Sequence, residues 1–159
     1  MEPTFRRKQN RLPLDVYRGT AAYSLTLRCA KESLPFTNPE VVRTCVDALR
    51  TASDHHGVSV LAYCFMPDHL HLLVQGADRS FVPDFVKDFK QGTGYAYRKW
   101  TSKPLWQKSY YDHVLRRDED VSEVARYIVG NPVRANLVSQ ARDYLFSGSF
   151  VWGEAVVEA

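Results

Sequence analysis

The sequence predicts an α+β fold, an antiparallel sheet with helices packed on one face. Three observations carry this. Two β-rich runs, 58–66 and 69–76, are separated only by Pro67-Asp68, a turn signal, so they form a hairpin. Segments whose apolar residues recur at helical spacing stand on either side of that hairpin. A further β-rich run precedes the first of these segments, and another follows the second.

In chain order, the first fifteen or so residues are a polar arm with Arg6, Arg7, Lys8 and Arg11 close together. AAYSLTLRCA (21–30) is the first strand, rich in β-formers. NPEVVRTCVDALRTASDHHG (38–57) opens with an asparagine cap and Pro39 at the first helical position. Its Val42, Cys45, Val46 and Leu49 share one helix face, and Gly57 stops it. VSVLAYCFM is apolar on both faces, as a central strand is, and HLHLLVQG returns antiparallel to it. SFVPDFVKDFKQGTGYAYRKW (80–100) is a second helix, with Pro83 tolerated near its start and Gly92 and Gly94 weakening its second half.

SYYDHVLRRD (109–118) is the fourth strand. DVSEVARYIVGNP (120–132) is a third helix: Asp120 and Glu123 resemble a capping box, and Val121, Val124, Ala125 and Ile128 make its buried stripe. Asn131-Pro132 should end it, because a residue before proline avoids the α region. The tail contains YLFSGSFVW (144–152), whose aromatics pack back onto the body. The order βαββαβ plus a C-terminal helix is the ferredoxin-like arrangement. It occupies one domain over 1–159, with 1–18 a basic arm and 140–159 a packed tail.

Composition is that of an ordinary globular chain, 45% hydrophobic and 25% charged, which argues against disorder. A net charge of +3 permits a nucleic-acid partner without demanding one. Three widely spaced cysteines (Cys29, Cys45, Cys64) give neither a disulfide framework nor a metal-type pair, which points to the cytoplasm. The N-terminus lacks the apolar stretch of a signal peptide, and no run is long enough to span a membrane.

The chemistry concentrates in MPDHLHLLV, 66–74. A strand alternates its faces, so His69, His71, Leu73 and Gln75 point one way, and Leu70, Leu72 and Val74 the other. Two imidazoles on one strand face can chelate one divalent ion, although an arbitrary H-x-H is more often two hydrogen-bonded surface histidines. The apolar flanks and tight turn favour a built site. Structural zinc would want four ligands, usually with thiolates; Cys64 sits across the hairpin but is not tied to the histidine face by sequence. In YIVGN, Tyr127 stands at the edge of the apolar stripe with Asn131 one turn on. From spacing alone, a boundary tyrosine and a helix-capping amide are the better reading. Arginines interleaved with aromatics in LWQKSYYDHVLRR suit phosphates and unstacked bases, but also a solvated face.

YCFMPDHLHLLVQ, LWQKSYYDHVLR and YIVGNPVRANLV, in this order and spacing, resemble the HUH single-tyrosine transposases of the smallest bacterial insertion sequences and the REP-associated tyrosine transposases. The likeness spans roughly 20 to 150. It implies an enzyme that cuts and rejoins single-stranded DNA near hairpins or palindromic repeats, joining the 5′ phosphate to a tyrosine. It places the nucleophile on Tyr127, the metal ligands on His69, His71 and Asn131, and the cofactor as a divalent ion, Mg2+ or Mn2+. Asp68 stands where relatives often have Asn or Glu, a change read as harmless.

Arg6, Arg7, Arg116 and Arg117 are candidate DNA backbone contacts, and His113 a candidate to orient the metal site. Tyr95, Tyr97, Tyr110 and Tyr111 are rival nucleophiles. A monomer is favoured, with a homodimer open. Two other classes remain: a non-catalytic single-stranded nucleic-acid-binding module, and a metal-dependent nuclease using water, which would tolerate Tyr127→Phe.

Overall fold

The computed structural model describes residues 20–116 and 119–158; Arg6, Arg7, Arg117 and the basic arm lie outside the described residues. Strands β1 (Ala22–Arg28), β2 (Ser59–Met66), β3 (His69–Gln75), β4 (Tyr111–Val114) and β5 (Ser147–Gly148) form one sheet in the order β4-β1-β3-β2-β5. Every pairing is antiparallel. The first four strands have the predicted ferredoxin-like order. Among the described residues no helix is long and apolar enough to cross a membrane.

Helix α1 (Pro39–His56) starts where Asn38 accepts a hydrogen bond from the Glu40 amide at 2.9 Å, and stops at Gly57 with φ 62°. Helix α2 (Val82–Thr101) runs unbroken through Gly92 and Gly94. Each glycine costs about 1 kcal/mol of propensity. Burial of Val82, Phe85, Val86, Phe89 and Thr93 along one face outweighs that, and the Trp106 indole N–H donates to the Thr93 hydroxyl at 2.8 Å.

The sheet separates two cores. On one face Leu25, Leu27, Leu70, Leu72 and Val74 pack against Val42, Cys45 and Leu49 of α1 and Phe85 and Phe89 of α2. On the other, Ala62, Cys64, Met66 and Leu73 pack against Ala125, Ile128 and Val129 of helix α3 (Val121–Val129). The histidine face is therefore the α3 face. A bulge between Val60 and Ala62 resets β2, so that Cys64 stands directly opposite His71 and shares its face.

Three features differ from the sequence reading. The predicted stop at Asn131-Pro132 is instead the start of helix α4 (Asn131–Arg134). Gly130, at φ −80° and ψ −8°, only interrupts the helical path. Pro132 falls in the first turn of α4, where a missing N–H loses no partner, and Arg134 N–H bonds back to the Gly130 carbonyl. The fourth strand has four residues, not ten. The tail adds a fifth strand on the outer edge of β2 before the short helix α5 (Ala155–Glu158). Gly148 is required there, because a Cβ would lie 2.8 Å from the Tyr63 hydroxyl oxygen. The Tyr144 hydroxyl donates to the Phe65 carbonyl at 2.5 Å and anchors the tail.

Candidate active site

β3 delivers His69 and His71 to the α3 face, and their rings meet edge to face with Nε2 atoms 3.0 Å apart. Each ring is held from behind. His69 Nδ1 donates to the Asp68 carboxylate at 2.6 Å, which in the neutral ring leaves the lone pair on Nε2. His71 Nδ1 lies 3.2 Å from the Thr26 hydroxyl on β1. Burial first, then the neighbouring His69, Arg134 and Arg28, pushes His71 down to about 4, so it is neutral at physiological pH.

These residues fit a divalent ion. Cis ligands about 2.1 Å from an octahedral ion stand about 3.0 Å apart, the separation of the two Nε2 atoms. Their far nitrogens are engaged, as metal-binding imidazoles require. Cys64, although opposite His71, is pushed up to about 12 by burial and stays a thiol. Among the described residues, the group of three His, Cys, Asp or Glu ligand atoms within 4.8 Å of one another is His55, His56 and Asp88, on the other side of the sheet. Among the described residues, no third His, Cys, Asp or Glu ligand atom joins the histidine pair within that distance.

From the pair an open groove of about 440 Å³ crosses β1 to β4, lined by Ser24, Thr26, Arg28, Tyr111 and His113. Arg28 is paired in register with His69, and its guanidinium sits 5.7 Å from the centre of the Tyr111 ring. His113 lines this groove but bonds Glu119 at 3.1 Å, while Arg116 is exposed nearby. Of the rival tyrosines, Tyr95 and Tyr97 ride on α2, across the sheet from the histidines, and Tyr110 packs into the α1–α2 core. Tyr111 shares the histidine groove.

Tyr127 projects from α3 and is 65% exposed. Asp120 starts that helix by accepting from the Ser122 amide at 2.8 Å. The structure joins Tyr127 to Asn131 through a residue that sequence reading passed over, Arg134. It donates to the Tyr127 carbonyl and to Asn131 Oδ1, each at 2.5 Å, and its guanidinium covers the Tyr127 ring at 3.8 Å. The signal was present: Tyr127, Asn131 and Arg134 are spaced by four and three residues, the spacing of one helix face. Thr26 was also passed over, and Asp68 was read only as a turn residue and a harmless departure from relatives. Thr26 required the β1–β3 register, which no local motif encodes.

Residues 20–131 match the family described as IS200-like transposases, which covers more than half of the chain. The ISDra2 transposase TnpA of Deinococcus radiodurans is 31% identical over 132 residues, 74% of this chain and 91% of that protein. A Haemophilus influenzae protein provisionally named a REP-associated tyrosine transposase is 26% identical over 113 residues, 63% of this chain and 64% of its own length. The fold is similar to that of a REP-associated tyrosine transposase solved bound to a REP hairpin, with a TM-score of 0.72 at 18% identity, over 92% of this chain and 82% of that one. The α+β fold and histidine-bearing sheet define the class. The chain belongs to the IS200-like transposase family, the single-tyrosine group its motifs resemble.

Proposed function

We propose that this transposase cuts and rejoins single-stranded DNA near hairpins, through a covalent 5′-phosphotyrosine link at Tyr127. One observation carries the reading: two imidazoles converge to 3.0 Å at the head of a groove, on the sheet face that the Tyr127 helix covers. The hairpin-bound relative of similar fold supports hairpin DNA as the substrate class.

His69, His71 and the Asn131 amide oxygen would hold the divalent ion, Mg2+ or Mn2+, which supplies Lewis-acid polarisation of the phosphate. The Tyr127 phenolic oxygen attacks phosphorus, the P–O3′ bond breaks, and the 3′ oxygen leaves as a hydroxyl carrying a proton. In rejoining, a 3′ hydroxyl attacks the phosphotyrosine and Tyr127 is released, so bond energy is conserved without an external source. Asp68 and Thr26 hold the imidazoles in place. Arg28 and Arg116 offer charge for the DNA backbone, and Tyr111 offers a face for an unstacked base. A strand-borne site at the head of an open groove suits a single strand drawn out of the duplex.

The test uses end-labelled single-stranded oligonucleotides covering hairpins beside the chain's own gene, with Mn2+ or Mg2+, resolved on a denaturing gel. Label should travel with the wild-type protein and be lost with chelator and with Tyr127→Phe. Cleavage without any adduct, surviving Tyr127→Phe, would establish a water-using nuclease instead. Binding without cleavage would support the non-catalytic module.

A further inference from the structure

We propose that Arg134 is the positioning residue of this site: one guanidinium that orders both the Tyr127 ring and the Asn131 amide. The inference rests on Tyr127 being the nucleophile.

Three independent features converge on Arg134. First, its Nη2 donates at 2.5 Å to both the Tyr127 carbonyl and Asn131 Oδ1. A guanidinium has no acceptor, so the end of the amide it meets is the oxygen. The same oxygen keeps a second lone pair for a cation. Arg134 thus decides which way the amide faces, and an amide turned round would present N–H groups, which bind no metal. Second, the guanidinium lies 3.8 Å from the centre of the ring of Tyr127, a residue 65% exposed. A solvent-facing phenol samples several rotamers, and a stacked plane narrows them.

The third feature is Gly130. Its backbone, φ −80° and ψ −8°, is one that any residue adopts, so conformation does not require glycine. A Cβ there would lie 2.9 Å from Arg134 Nη1, the far end of a flexible side chain, so alanine would displace the guanidinium. Its 3.1 Å approach to the Arg126 carbonyl needs only a small shift. Gly130 is the seat of the guanidinium. Positions 127, 130, 131 and 134 line one side of the path from α3 into α4, and each has a role in a single arrangement. Helix α4, which carries Arg134, contacts β2, the strand paired with the histidine strand β3.

The experiment measures single-turnover adduct formation with the hairpin oligonucleotides and Mn2+, alongside oligonucleotide Kd and thermal midpoint. Arg134→Ala should slow adduct formation by about tenfold to a hundredfold, with Kd changed much less. Arg134→Lys keeps the charge but not the plane or fork, and should restore Kd without restoring the rate. Gly130→Ala leaves Arg134 in the chain but pushes it from its seat. Its rate should fall like that of Arg134→Ala while its thermal midpoint holds or rises, since alanine favours helix over glycine. If Arg134→Ala does not fold, Arg134→Lys and Gly130→Ala decide.

Full rescue by Arg134→Lys, or wild-type rates in Gly130→Ala, would overturn the positioning role. Tyr127→Phe separates the two levels. If it loses the adduct while the Arg134 and Gly130 variants keep full rate, only this inference fails. If Tyr127→Phe still forms the adduct, or the wild type forms none, the underlying reading fails and this one with it.

Discussion

Thr26 on β1 and His71 on β3 are direct partners across the sheet, and the Thr26 hydroxyl stands 3.2 Å from His71 Nδ1. With Asp68 behind His69, this leaves both Nε2 atoms facing each other. Two side chains outside the H-x-H motif thus fix its geometry.

Thr26→Val keeps the shape of the side chain and removes the hydroxyl. His71 then loses the partner that orients its ring. Partners behind a metal-bound imidazole are worth roughly ten- to a hundredfold in affinity. Calorimetric titration with Mn2+ should show a loss of about that size for Thr26→Val. An unchanged affinity would remove Thr26 from the site.

The buried state of His71 predicts acid sensitivity in the metal-free protein. Its folded value is depressed to about 4 from an ordinary 6.5, so the folded chain refuses a proton that the unfolded chain accepts. The stabilisation is fully present above about 6.5 and is lost as pH falls towards 4, on the order of 3 kcal/mol. Urea denaturation with chelator present, from pH 7 to pH 4.5, should show a smaller pH dependence in His71→Gln than in wild type. Equal slopes would mean that His71 titrates normally.

Tyr144→Phe removes the hydroxyl that ties the tail to the Phe65 carbonyl. A half-buried hydrogen bond of this kind contributes about 1 kcal/mol, and urea unfolding should show a loss of that order. Manganese affinity should not change, because Phe65 points into the α1–α2 core, away from the histidine face. A coupled loss of metal binding would show that the tail supports the site.

The contrast between β3 and β5 shows what was legible in the sequence. β3 has seven residues that alternate except at Leu73, so its two faces, its partner hairpin and the pairing of His69 with His71 could be read directly. β5 has two residues inside an aromatic tail, too short for any period, and it exists only because the β2 edge is there to receive it. Helix α1 was legible from Asn38 to Gly57 because caps and period agree. The continuation into α4 was not, because a local rule about the residue before proline was outweighed by the bonds that Gly130 and Asn131 carbonyls accept. At the site, the motif residues were legible and their supports were not. Thr26 lies 45 residues from His71, and only the register joins them.

In the proposed reaction the Tyr127 phenolic oxygen becomes bonded to the 5′ phosphate of the DNA. This is tested most directly by mass spectrometry of the protein after incubation with a single-stranded hairpin oligonucleotide and Mn2+, with peptide mapping of the adduct. A nucleotide mass should appear on the peptide containing Tyr127 and be absent in His69→Ala and His71→Ala. Tyr111 shares the histidine groove. A nucleotide mass on its peptide instead, or cleaved DNA with no modified peptide, would overturn Tyr127 as the nucleophile.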